Sequence, residues 1–225
     1  MIPHKSIIAA SLHLEPNRAA ILRDIHRAAA RGIRHVVVNE NMVALAMAEV
    51  QSANLDVSVS GIVGYPIGQW MWPAKKVALD ELSQIQNGPL AVMHGVGPWL
   101  DSTDQSAAEL KGIADLNGAV WVMTSLSAIP EERLKALADD VAHCGAEVLI
   151  LSNGVAASGL PLPDAKQISA LAQHAGGRFA LASMAPAGTP AETIATWLKA
   201  GADTVLCTDF WDLSASASDT GKESS

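Results

Sequence analysis

A (β/α)8 TIM barrel is the fold class this sequence predicts, and three observations lead there. First, short apolar runs alternate with helical patterns all along the 225 residues. Read as strand-helix units, they number about eight, each of roughly 25 residues, near the barrel norm. Second, the runs are apolar on both faces. Ala146 to Leu151 holds five apolar side chains in six positions and then breaks into Ser152, Asn153 and Gly154. Such a strand must be covered on both sides, as in a parallel sheet. Third, Cys144-Gly145-Ala146 and Ala200-Gly201-Ala202 mark the same helix-to-strand turn twice, with glycine where a helix ends. The competing architecture is an open doubly wound sheet. It is disfavoured because no GxGxxG follows the first strand.

The elements follow in order. Residues 6–11 form an apolar strand, and Pro16 opens a helix that runs to Arg31 and stops at Gly32. Residues 33–39 are the second strand and 41–52 the second helix. Residues 56–64 give the third strand, which leads through Tyr65-Pro66-Ile67-Gly68 to a helix from about Pro73 to Gln86. Strand four is 89–95, followed by a loop and helix within 101–116. Strand five is 119–125, and a helix over 130–144 is stopped by Gly145. Strand six is the Ala146–Leu151 run. Residues 163–175 are helical, 178–183 form strand seven, 190–200 are helical, and 203–208 form strand eight.

Apolar residues make up 49% of the chain, enough for one large core, and the formal net charge is −8. An acidic balance argues against nucleic acid or an anionic membrane as partner. One domain over residues 1–213 is expected. The tail 214–225 has no core-forming residues and is expected to be disordered. Cys144 and Cys207 fall in different elements without metal-ligand spacing and read as buried thiols. The start of the chain has no signal-peptide pattern, and no apolar run reaches the roughly 18 residues of a membrane span. The expectation is a cytoplasmic protein that binds a small-molecule substrate, with no nucleic acid or membrane partner and with a homodimer as a candidate assembly.

Asn39 with its flanking valines, the segment Gly64-Tyr65-Pro66-Ile67-Gly68 followed by a lysine-bearing helix, and Gly145-Ala146-Glu147 together resemble the deoxyribose-phosphate aldolase family. The resemblance spans roughly residues 6–209. It implies an aldolase-type barrel and, for the family, carbon–carbon bond cleavage or formation through a lysine Schiff base. This chain departs from the pattern at the chemistry. The resemblance sets Ile150 where the Schiff-base lysine belongs, Ala182 where a second lysine tunes it, and Val92 at the acidic proton relay. Ala185-Pro186 stands in place of a phosphate-binding glycine pair, and proline has no N–H to offer. None of the lysines lies on an expected strand. Lys75 matches a lysine common at the start of the family's third helix, and is expected to be solvated.

Sites in this fold lie at the C-terminal ends of the strands, where side chains alternate inward and outward. With Val92 taken as inward, His94 also faces the mouth, as do Asn39, Thr124 and Ser152. His94 is the first choice for an acid or base because histidine titrates near neutrality. Asn39, Thr124 and Ser152 would orient or donate hydrogen bonds. His13 and Glu15 follow strand one, and Asp209 and Asp212 follow strand eight, so His13–Glu15 or His94–Asp209 are candidate dyads. No HxH or HExxH spacing supports a metal, and neither metal nor cofactor is expected. Six tryptophans stand against two phenylalanines and one tyrosine. Trp70, Trp72, Trp99 and Trp211 are assigned to loops at the site face, while Trp121 and Trp197 read as core. Tyr65, Trp70, Trp72, Trp99, His13, Asn153, Ser183 and Asp209 are therefore the expected substrate contacts, unless the aromatic rim serves a subunit interface instead.

Three functions remain open. One is an aldolase-like enzyme working on a small, non-phosphorylated carbonyl or aromatic compound by general acid–base chemistry, as a lyase or isomerase/cyclase. Another is a non-catalytic ligand-binding or scaffold barrel. The third is a true class I aldolase using Lys75 or Lys76.

Overall fold

A computed structural model describes residues 2–12, 17–152, 162–208 and 210. Eight parallel strands close into a barrel in sequence order. They are β1 (Ile7–Ser11), β2 (His35–Asn39), β3 (Ser58–Val63), β4 (Leu90–Met93), β5 (Val120–Ser125), β6 (Val148–Ser152), β7 (Ala180–Ala185) and β8 (Thr204–Cys207). Closure is made by β8 against β1, with Ile8 opposite Leu206. The helices are α1 (Arg18–Ala30), α2 (Val43–Ser52), α3 (Trp72–Ile85), α4 (Val96–Leu100), α5 (Asp104–Ala114), α6 (Leu134–His143), α7 (Ala165–Ala175) and α8 (Ala191–Lys199).

Local chemistry accounts for the boundaries. Asn17 caps α1 by accepting the Ala20 N–H at 2.9 Å, so the helix begins at Arg18, two residues past the expected Pro16, which lies outside the described residues. Thr103 and Asp164 cap α5 and α7 in the same way. The paired glycine turns hold positive φ, 71° at Gly145 and 111° at Gly201, the conformation that glycine takes without strain. Strand seven runs two residues further than expected, to Ala185. The tail 214–225 lies outside the described residues.

Two apolar layers result. Ile8, Ala10, Val37, Ile62, Ala91, Met93, Trp121, Met123, Ile150, Ala182, Met184 and Leu206 pack inside the barrel. The alternate strand residues, among them Ala9, Val38, Val63, Val92, Val122, Leu151, Leu181 and Val205, pack outward against the helices. The interior is thus a filled core and not a pore.

One seam differs from the rest. β3 and β4 share only the pairs Ile62–Ala91 and Val63–Val92. Below them, side-chain amides take the place of a strand. Asn87 Oδ1 accepts the Val59 N–H at 2.8 Å, Gln86 Oε1 accepts the Gly61 N–H at 2.9 Å, and Asn87 Nδ2 donates to the Val57 carbonyl at 3.3 Å. Gly88 completes the seam by donating its N–H to the Val59 carbonyl at 3.0 Å. A Cβ there would overlap Ser60 Oγ and that same carbonyl, so this approach needs glycine.

Candidate functional site

The layer assignment decides which residues can face a substrate. Val37, Met123, Ile150, Met184 and Leu206 belong to the interior, so strand alternation turns Asn39, Ser125, Ser152 and Thr208 inward near the C-terminal ends. Ser152 is fully buried and Asn39 partly so. Tyr65, just past β3, packs against the interior cluster, and burial pushes its phenol above the usual range. The mouth therefore has a floor of Met93, Met123, Ile150 and Met184 under a ring of uncharged polar groups. Ser125 and Thr208 were missed from sequence. Ser125 sits one step beyond Thr124 and takes the inward phase.

Strand four corrects the expected set. Ala91 and Met93 face inward, so Val92 and His94 face the helices. His94 is only 2% exposed, and neither ring nitrogen has a hydrogen-bond partner. Its ring meets Trp99 edge-on, with centroids 6.1 Å apart. Burial, and secondarily the nearby Lys75 charge, lowers its pKa to about 4, so it is neutral at pH 7. It is therefore not the mouth-facing acid or base the sequence suggested. Thr124 and Ser183 are corrected for the same reason. Their neighbours Val122 and Leu181 lie in the helix layer, and both hydroxyls are buried without a partner.

The tryptophan rim is also corrected. Trp99 lies in α4, a short helix where the sequence predicts a loop. It is 4% exposed, donates its Nε1–H to Asp140 at 2.8 Å, and lies under the Arg133 guanidinium at 4.9 Å. Trp72 starts α3 and packs on Gly112 of α5, where a Cβ would collide with its ring. Trp70 alone of the three is strongly exposed, at 47%, beside the exposed Ile67 and Met71 on the β3–α3 loop. His13, Glu15, Asn153, Asp209, Trp211 and Asp212 lie outside the described residues.

Lys75 is the largest surprise. The expected solvated lysine is completely buried, in the helix layer and not at the mouth. Its Nζ donates to the Gly68 carbonyl at 2.8 Å, the Met93 carbonyl at 2.7 Å and Glu109 Oε1 at 2.7 Å. Three acceptors match the three hydrogens of an ammonium. The Gly95 N–H also donates to the Glu109 carboxylate. Burial pulls the ammonium down and pushes the carboxyl up, while their mutual contact opposes both shifts. Lys76 is exposed and pairs with Asp80 on the surface.

One carboxyl at the site face was overlooked. Glu40 follows Asn39 directly at the end of β2, partly buried, and desolvation raises its pKa. A strand-end carboxyl poised toward neutrality is a candidate acid or base. Its signal was its position immediately after a strand, which alternation alone discounts. Among the described residues, no group of three or more His, Cys, Asp or Glu is arranged to hold a metal. Among the described residues, no helix is long and apolar enough to cross a membrane.

No protein-family model and no curated relative matches the sequence. Solved structures do. An aldolase, QR15, superposes with a TM-score of 0.77 at 20% identity, covering 91% of this chain and 90% of its own. A tetrameric deoxyribose-phosphate aldolase from Aeropyrum pernix gives 0.77 at 18% identity, over 91% of this chain and 86% of that one. A protein assigned as a deoxyribose-phosphate aldolase from Coccidioides immitis gives 0.75 at 17%, over 89% and 79%. With the strand order and the closed barrel, these likenesses make the chain a (β/α)8 barrel with the fold of the deoxyribose-phosphate aldolases.

Proposed function

We propose that the protein is an aldolase-like barrel enzyme that acts on a small, non-phosphorylated carbonyl or aromatic compound by acid–base chemistry, in a lyase or isomerase/cyclase reaction without a lysine Schiff base. The observation that carries this reading is the floor of the mouth. Ile150 is fully buried among Met93, Met123 and Ala182, and every described lysine lies outside that interior. An imine needs an amine within reach of the substrate. Lys75 faces the other layer with all its hydrogens committed, which speaks against the class I alternative.

The ring above that floor suits an uncharged substrate. A carbonyl oxygen there would meet the neutral donors Tyr65, Ser125 and Asn39. Because burial raises its pKa, Tyr65 stays a phenol and keeps its proton to donate. Glu40 is the group proposed to move a proton, since it stands at the end of β2 and desolvation raises its pKa from the ordinary carboxylate value. A phosphate finds little here: Pro186 contributes no N–H after β7. A homodimer remains part of this reading, with Ile67, Trp70 and Met71 as exposed apolar surface. The molar mass in solution tests it.

Borohydride trapping with a panel of aldehydes and ketones, read by mass spectrometry of the intact protein, tests the mechanism. The expected result is turnover of at least one compound with no lysine adduct. A reduced imine on any lysine overturns the reading. Where an active compound is found, Tyr65→Phe and Ser125→Ala are expected to lower kcat by about 100–1,000-fold, the scale of a lost oxyanion donor.

A second reading, a ligand-binding barrel without catalysis, draws on one observation. The described inward side chains are all uncharged. Saturable binding of a compound that is recovered chemically unchanged would favour it.

A further inference from the structure

The loop after β3 is seated on the end of β4 by direct backbone contact. The Gly68 N–H donates to the Gly64 carbonyl at 2.8 Å, which closes residues 64–68 into one turn. A Cβ on Gly68 would come within 2.7 Å of the His94 carbonyl oxygen and 2.9 Å of the Met93 carbonyl oxygen. Only glycine lets two backbones approach this closely. The strand end beneath is itself fixed, since the His94 N–H donates to the Met123 carbonyl at 2.7 Å.

Lys75 fastens this seat. From α3 its Nζ donates to one carbonyl of the loop, at Gly68, and to one of the strand end, at Met93. Its stem passes the start of the same loop, with Cε 3.3 Å from where a Gly64 Cβ would stand. Glu109 accepts the third hydrogen at 2.7 Å and balances the charge. A lysine that only tied α3 to α5 would need Glu109 alone. Two of its three bonds go instead to the loop and to the strand the loop rests on.

Tyr65 is what the loop carries. Its side chain packs against the interior cluster that holds Ile62 and Met93. Among the described residues no hydrogen bond holds that side chain, and Pro66 beside it has no N–H to anchor. Its place is therefore set by the backbone on either side. The barrel fixes the Val63 side through β3, and Lys75 fixes the Gly68 side.

We propose that Lys75 is a positioning residue of the mouth, which holds Tyr65 against the barrel interior by clamping loop 64–68 to the end of β4. That Tyr65 then acts as a donor rests on the function proposed above; that Lys75 places it does not.

The test uses the full chain and its one tyrosine, so that near-ultraviolet phenolate absorbance reads Tyr65 alone. Burial raises this phenol's pKa, and a ring released toward water titrates at lower pH. Lys75→Met/Glu109→Leu removes the clamp without stranding a charge. Ile168→Ala truncates a fully buried side chain of α7 and supplies destabilisation without touching the loop. The expected result is a phenol midpoint that falls toward the ordinary value of about 10 in the double variant and keeps its wild-type position in Ile168→Ala. At pH 7, hydrogen exchange of the Gly68 amide should be about tenfold faster in the double variant than in Ile168→Ala, the scale of one hydrogen bond to a charged group. Should the apolar pair fail to fold, Lys75→Gln/Glu109→Gln is read in the same way, because glutamine has two hydrogens and a shorter stem and cannot serve all three acceptors. An unchanged phenol midpoint or unchanged Gly68 exchange in a folded clamp variant overturns the proposal, and so does an equal shift in Ile168→Ala. Failure of both pairs to fold overturns it too, and makes Lys75 a residue of the scaffold alone. No substrate enters these measurements. A Tyr65→Phe protein with undiminished turnover would end the donor reading and leave the positioning result standing.

Discussion

His94 shows at the scale of one residue how burial converts a reactive side chain into a stability sensor. It packs edge-on against Trp99, within the influence of the Lys75 charge and almost wholly buried, with both ring nitrogens unpartnered. Its pKa in the folded protein is about 4 against an ordinary 6.5, so the unfolded chain binds the proton first as pH falls. The stability tied to the neutral ring is complete above pH 6.5 and is lost as pH falls toward 4. A gap of this size corresponds to about 3 kcal/mol. Urea unfolding at pH 7, 6, 5 and 4 checks this. Wild type should lose more stability across that window than His94→Leu, and parallel curves would remove His94 as the cause. Glu109, Asp140 and Arg133 also face this pocket, directly or through Trp99, so the difference between the two proteins is the quantity to read.

Elements are joined at the same place by Lys75 and Glu109. The pair ties α3 to α5, and its further bonds reach Gly68 in the β3–α3 loop and Met93 and Gly95 at the end of β4. Breaking one member strands a buried charge. Lys75→Met or Glu109→Leu alone should each cost about 3–5 kcal/mol. The double variant should cost less than the sum of the two, because the stranded charge is gone. Additive losses in a denaturant series would show the ions to be uncoupled. This clamp was legible in the sequence by phase. Lys75, Leu79 and Leu82 share the buried face of α3, and Ser106, Glu109 and Ile113 that of α5, so a charge in each helix sits in the apolar phase. The phase of β4 was not legible. Leu90–Met93 is apolar on both faces, and such a run carries no mark of which face is inside. Anchoring it on Val92 turned His94 to the mouth and away from its actual layer. The strand-helix alternation needed no such anchor, which is why the barrel was readable while half of the mouth was not. Trp99 was misplaced for a related reason: α4 is one short turn entered through Gly95 and holding Pro98, a composition that reads as loop.

Across the whole molecule, the barrel closes around a dry interior, and that interior fixes what chemistry the fold can host. Its twelve buried members carry no charge, and each is no more than 5% exposed. In strand six, the side chain at the centre of that core is Ile150, paired across to Met123 and Ala182. Ile150→Lys would put an amine at the position where the resemblance sets a Schiff-base lysine. With no carboxylate among its described interior neighbours, desolvation should lower that lysine's pKa well below its usual range. The sign of the linkage follows. The folded-state pKa lies below the unfolded one, so the variant approaches wild-type stability only above the unfolded lysine pKa of about 10.4 and loses it as pH falls through the window down to the folded value. Thermal unfolding of both proteins from pH 7 to 10.5 should therefore show the deficit of Ile150→Lys shrinking as pH rises. A deficit independent of pH would mean that water or an acidic partner already reaches strand six. In that case the floor of the mouth would be open to charged chemistry, and the imine-free reading would have to be abandoned.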